Sequence, residues 1–308
     1  MKGLRQTLGL ALVLTTIPSP VAAQNEVLAE IPIELERNRT IIPVSVGSSG
    51  PLRLLLDTGM AYDGITLFDT ASVDLSQFDH LARVQIRGAG PGGAAQALSD
   101  SAATVRVGPR SFENQRVTIL TGDAFRGFPT DGVIGYSILG HHVVEIDYDR
   151  RRMILYDPAT FAPAAGWESV DIYFKDNRIP WLDISMVTAE EDPVRLSAYI
   201  DFAQGQALEL LERETNVFTL PAETRETYVG RGLSGDIHGD EGRVSGVVVG
   251  SFVLHDVLVV VVPAEIRSRQ AGADAIIGNG LLRRFNLIFD YSRSRILLRP
   301  NSYYSEPF

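Results

Sequence analysis

Two aspartates stand where carboxylates are costly to place. Asp57 closes the apolar run Leu54-Leu55-Leu56 and leads straight into Thr58-Gly59, and Asp201 closes Ala198-Tyr199-Ile200 at an offset of 144 residues. Each run reads as a buried strand, so each acid is carried to the end of a core element, where a charge needs hydrogen bonds or a partner to persist. Two such carboxylates brought within a few ångströms cannot both ionise cheaply, and one keeps a proton while the other stays charged. The charged acid can then take a proton from water while the protonated acid donates to a developing oxyanion. This chemistry needs neither a metal nor a covalent intermediate. A glycoside hydrolase also works with two carboxylates, and linear spacing alone does not separate the two chemistries.

The elements that must position these acids are duplicated. Asp131-Gly132-Val133-Ile134-Gly135-Tyr136-Ser137-Ile138-Leu139 is answered 143 residues later by Asp274-Ala275-Ile276-Ile277-Gly278-Asn279-Gly280-Leu281-Leu282. A hairpin pattern follows each copy, 144–148 with 153–155 and 287–291 with 296–298, and Val107-Gly108 with Phe112 is echoed by Val249-Gly250 with Phe252. A repeat this long is a copied domain and not a solenoid.

A strand with its aspartate, a glycine-rich stretch and a hydrophobic-hydrophobic-Gly element fall in the same order twice. In this the chain resembles the retropepsin and pepsin-like aspartic peptidases, in their bacterial two-lobe form, over most of residues 27–300. The resemblance implies an all-β fold of two β-barrel lobes with a cleft between them, the first lobe at 24–160 and the second at 161–308. It implies Asp57 and Asp201 as the catalytic pair, with the Gly59 amide on the carboxylate and the Thr58 hydroxyl reaching into the other lobe. Gly88, Gly90 and Gly92 fall at the flap that covers substrate. The implied activity is endopeptidase cleavage of exported or envelope proteins, with a peptide or protein substrate as partner and neither cofactor nor metal.

The second lobe departs from the family pattern. Phe202 stands where a second threonine belongs and Ala203 replaces the glycine. One half of a reciprocal hydroxyl lock is missing, and the alanine methyl is expected to crowd the turn. A second reading follows, an inactive member of the fold that binds peptides or serves as an envelope scaffold. An acid kept at so costly a position favours activity. A complete second lobe within the chain favours a monomer over pairing of two chains through their Asp57 lobes.

Composition agrees with this outline. The 308 residues are 45% hydrophobic, with 28 glycines and 16 prolines among many short aliphatic runs, which suits two turn-rich β domains. The formal charge of −10 argues against nucleic acid and anionic membrane as partners. Residues 1–23 carry Lys2 and Arg5, an apolar run over 8–17, then Pro18-Ser19-Pro20 and Val21-Ala22-Ala23, the pattern of a cleavable signal peptide. Cleavage removes two cations and no acid, leaves a mature charge of −12 with no stable membrane anchor, and predicts a periplasmic or secreted protein. The absence of cysteine excludes a lipid anchor at the N-terminus and any disulfide framework.

Other patterns carry less. Gly88, Gly90 and Gly93 satisfy a G-x-G-x-x-G spacing, but Pro91 interrupts it and a strand pattern follows where a dinucleotide site needs a helix. His141, His142 and Glu145 lack zinc spacing and are expected on an exposed helix. His238 with Asp236 and Asp240 is expected in a solvated turn, and a short helix is expected around 221–228. Residues 159–166 read as the connection between lobes, and Asn38-Arg39-Thr40 as a chance glycosylation triplet.

Overall fold

The computed structural model describes residues 25–175, 178–188, 192–267 and 272–308; the expected signal peptide lies outside them. Each half of the chain closes a six-stranded barrel. In the first, the strands run in the order Arg39–Val46, Leu52–Leu56, Gly132–Ile134, Gly64–Leu67, Arg110–Leu120 and Ala95–Val107. Val105 to Val107 then pair back onto Val44 to Val46. In the second, the order is Pro180–Val187, Val194–Asp201, Ala275–Gly278, Leu208–Glu212, Phe252–Pro263 and Gly235–Val249. Gly246 to Val248 close onto Ser185 to Val187. The two parallel pairings fall at equivalent places: Leu52–Leu56 beside Gly132–Ile134 matches Val194–Asp201 beside Ala275–Gly278. Gly64–Leu67 beside Arg110–Leu120 likewise matches Leu208–Glu212 beside Phe252–Pro263. The duplication read from sequence is therefore a duplication of topology.

A third sheet of six strands lies under both barrels and draws on both halves. Its order is Val27–Pro32, Arg152–Tyr156, Val143–Asp147, Phe285–Asp290, Arg295–Pro300 and Glu168–Asp171. The seam is the antiparallel pairing of Ile146 with Leu287 and Val144 with Phe289. Phe285–Asp290 is buried at every position because apolar side chains cover both faces of the sheet. One face joins a hydrophobic core that extends through both barrels, while Val143, Ile154, Tyr156, Phe161, Ile288 and Leu297 form a separate cluster on the other.

Three local expectations are corrected. The stretch 221–228 is not a helix: Arg225–Gly232 is a strand paired with Gly235–Val249, and the ladder outweighs the local signal of Pro221. That same hairpin takes Asp236, His238 and Asp240 out of the expected turn and into a strand. The helix before His141 is a single turn, Tyr136–Leu139, and Ser137, Ile138 and Leu139 are buried; only His141 is exposed, while His142 is buried against Phe112. Among the described residues no helix is long and apolar enough to cross a membrane.

Because both halves build one sheet and one core, the lobes are expected to unfold together. Leu287→Ala, at the seam, should cost about 2–5 kcal/mol and lower one transition, followed alike by tryptophan fluorescence and far-ultraviolet circular dichroism in urea. Two separated transitions would show lobes that fold independently.

Candidate active site

Asp57 and Asp201 meet at the floor of the cleft between the barrels. The carboxyl carbons of both lie 4.0 Å from the point that a Cβ on Gly59 would occupy, and both residues are half-buried in the lining of one cavity of about 240 Å³. Asp57 is delivered by Leu52–Leu56 and fixed by its own amide, which donates to the Ile134 carbonyl at 2.8 Å. The Gly59 amide donates to Asp57 Oδ1 at 2.7 Å, as the sequence predicts. Gly135 is required here: a Cβ would stand 2.0 Å from the Asp57 carbonyl oxygen.

Thr58 ties the lobes together at the aspartates. Its hydroxyl donates to the Ile200 carbonyl at 2.7 Å and accepts from the Phe202 amide at 2.9 Å, and the side chain is 2% exposed. No second hydroxyl answers it, because Phe202 turns into the core and meets Phe289 edge-on, ring centres 5.4 Å apart. The Ala203 backbone stays out of the left-handed region, and its carbonyl accepts from Arg39 Nε at 3.0 Å.

The surroundings of the two acids differ in charge. Burial pushes Asp57 up, and the neighbouring charge of Asp201 adds to this against the amides of Gly59 and Met60, reaching about 7. Burial also raises Asp201, but Arg267 pulls it down, as do the Ala203 amide and Arg39, while Glu209 pushes it up. Arg267 forms a bidentate pair with Glu209 at 2.6 and 2.7 Å, and Gln204 donates to the same carboxylate at 2.9 Å. Glu209 is fully buried. Asp201 thus faces fixed cations that Asp57 lacks, which favours the charged form on Asp201 over the charged form on Asp57.

Two hairpin tips roof the cleft. Gly88, Gly90 and Gly92, the positions that the family resemblance gives to a flap, lie in the tip between Ala82–Ile86 and Ala95–Val107. The tip rests on residues 232–235 of the second lobe's hairpin. The Ser234 amide donates to the Ala89 carbonyl at 2.9 Å, the Gly92 amide to the Ser234 carbonyl at 2.5 Å, and the Gly90 amide to the Ile266 carbonyl at 3.2 Å. A Cβ on Gly232 would stand 2.1 Å from the Ala89 oxygen, so the approach needs glycine. Below this roof Phe68, Phe125 and Phe128 make an aromatic wall, with the Phe68 and Phe125 rings stacked at 4.3 Å.

Sequence reading named Asp57, Asp201, Thr58, Gly59 and the three flap glycines; Asp57, Asp201, Gly59 and Gly88 line the cavity, Thr58 is buried behind the two acids, and Gly90 and Gly92 lie in the hairpin tip against the second lobe. It missed Arg39, Arg267 with Glu209, Ser234 and the aromatic wall. Of these only Glu209 left a usable trace, a carboxylate inside the apolar run Ala207 to Leu211 that had to be partnered.

The architecture is the two-lobe fold of the pepsin-like aspartic proteinases. Among solved structures, the chain is similar to the crystal structure of aspartic proteinase from Irpex lacteus, with a TM-score of 0.58, 12% sequence identity, and coverage of 90% of this chain and 98% of that one. No family model and no curated protein sequence matches the chain.

Thr58→Val is expected to cost about 2–3 kcal/mol, since it strands a buried carbonyl and a buried amide, whereas Thr58→Ser should keep most of the stability. Urea denaturation of the two variants beside wild type measures the difference. Equal midpoints for all three would refute the bridging role.

Proposed function

We propose that the protein is an exported aspartic endopeptidase of the bacterial two-lobe type, monomeric, acting on protein or peptide in the periplasm or outside the cell. One observation carries this reading: acids from equivalent strands of a duplicated fold converge on one point at the floor of an inter-lobe cleft. The electrostatics give the two acids separate tasks. Asp201, beside Arg267 and Arg39, is the charged partner that draws a proton from water, and Asp57 is the protonated partner that donates to the oxyanion. Thr58 keeps the strands that carry them in register, and the flap tips exclude bulk water from the cavity. The aromatic wall offers an apolar side-chain pocket beside Asp57.

The activity is tested on an unstructured protein substrate. Asp57→Asn and Asp201→Asn should each lower kcat/KM by roughly a thousandfold or more. Loss in Asp57→Asn alone would favour pairing between chains, and an inert wild type that still retains peptides would favour a binding module. The pH profile follows from the proton on Asp57: activity falls as pH rises through about 7, because both acids are then charged and the donor is gone. The same raised value means that the folded state binds more protons than the unfolded chain below that point, so stability drains away as pH climbs from the ordinary aspartate range toward 7. Thermal melts should therefore show Asp57→Asn gaining more over wild type at about pH 8 than at about pH 4. A gain independent of pH would contradict the protonation assigned to Asp57.

A further inference from the structure

The mouth of the cleft is basic in an acidic protein. Beyond the aspartates lies a second cavity of about 440 Å³, continuous with the first along Arg39, Gln206, Gly230 and Arg231. Four arginines, Arg37, Arg39, Arg126 and Arg231, line this second cavity and no Asp or Glu does, although the whole chain carries a formal charge of −10. Arg126 is engaged by Asp123, and Arg231 by a bidentate pair with Asp236 at 2.6 and 2.7 Å. Arg39 is not engaged in this way. It is half-buried beside Gly205 and Gly230, and its guanidinium makes a single hydrogen bond, from Nε to the Ala203 carbonyl at 3.0 Å. Among the described residues it has no carboxylate at ion-pair distance, and neither has the exposed Arg37.

A guanidinium held in a cleft wall with its outer nitrogens unengaged matches the fork of a carboxylate. The backbone places Arg39 there deliberately: the turn that carries it docks on the second lobe through Asn38 Nδ2, which donates to the Gly205 carbonyl at 3.0 Å, so the cation is positioned by both lobes. Gly230 flanks it, and even a Cβ at that position would make only ordinary van der Waals contact with Arg39 Nη2, at 3.6 Å.

We infer that this end of the cleft seats a carboxylate. The inference rests on the peptidase reading and deepens it: the substrate segment leaving the aspartates toward the mouth carries an acidic side chain, or ends there in its own C-terminal carboxylate. Arg39 receives that group, and Arg37 adds charge at the rim. Recognition is by charge and fork geometry, so it weakens with salt and is not reproduced by an amide of the same shape.

The test uses the processed full chain and matched peptides. One set differs by glutamate against glutamine at single positions on either side of the cleaved bond, and a second by a free against an amidated C-terminus. Wild type should favour the carboxylate by about tenfold or more in kcat/KM on one side only, and the set that shows the preference identifies the side-chain or the terminal source. Arg39→Gln should collapse that ratio toward one, Arg39→Lys should restore part of it, and Arg37→Gln, at an exposed position, reports on the same ratio if Arg39→Gln does not fold. Binding of the labelled peptides to Asp57→Asn by fluorescence anisotropy separates the two readings. Cleavage with no carboxylate preference in either set, and equal binding, would overturn the basic subsite and leave the peptidase standing. A wild type without activity, whose Asp57→Asn form still prefers the acidic peptides, would remove the peptidase and keep the subsite.

Discussion

Two carboxylates brought to one point at the floor of a cleft repel one another when both are charged, and the fold must hold them there regardless. The cost is met by structure that belongs to both halves of the chain. The six-stranded base sheet pairs Ile146 with Leu287 across the seam, so the barrels cannot drift apart without breaking a ladder buried on both faces. Above it, the Thr58 hydroxyl holds the two aspartate strands by one accepted and one donated bond. Tyr148 adds a third tie: its buried hydroxyl donates to Asn279 at 2.7 Å while Asn279 donates to the Asn38 carbonyl at 2.6 Å. Such a network resists separation only because each member is satisfied.

Divergence after duplication has made the two sites electrostatically unlike. Where the first lobe offers a threonine, the second has a phenylalanine that is 0% exposed and fills the core against Phe289. Restoring a hydroxyl at that position would empty a close-packed site, so the lock stays one-sided. Asp201 is instead surrounded by Arg267 and Glu209 of its own lobe and by Arg39 reaching over from the first. The Arg267 and Glu209 pair is close to neutral as a unit, and removing either partner would leave a buried charge uncompensated. Arg39 adds a smaller pull of the same sign as Arg267, and its charge is not consumed by a carboxylate of its own. The proton shared by the two aspartates is accordingly biased toward Asp57.

The sequence was most legible where a signal is local and doubled. The strand runs ending in Asp57 and Asp201, and the Gly135 and Gly278 segments beside them, carry their meaning in a few consecutive residues, and the structure sets them in parallel pairs at matching registers. The hairpin of the second lobe was misread because Pro221 suggested a helix start, while the pairing of Arg225–Gly232 with Gly235–Val249 depends on residues that no short window contains. Arg39 looked like part of a glycosylation triplet. Its place beside Asp201 is set by a contact spanning 164 residues, to Ala203. The sequence contains 28 Lys and Arg residues, and nothing in their local patterns separates this one from the rest.

The proposed endopeptidase activity requires this roof to part for a chain. The flap tips are joined largely by backbone hydrogen bonds, from Ser234 to Ala89, Gly92 to Ser234 and Gly90 to Ile266. Each such bond contributes only about 0.5–1.5 kcal/mol net, so the polar part of the clasp costs a few kcal/mol to break. An extended peptide brings its own amides and carbonyls, and these can take over the partners that the tips release. The contact of Gly232 with Ala89 is close enough to need glycine, and opening must also wet Leu233, which packs on the Phe68 and Phe125 cluster of the first lobe, and Ala89, which packs beside Val229 and Ile237 of the second. On that proposal the cover parts above a floor tied by the base sheet, Thr58 and Tyr148, and the acids keep their spacing.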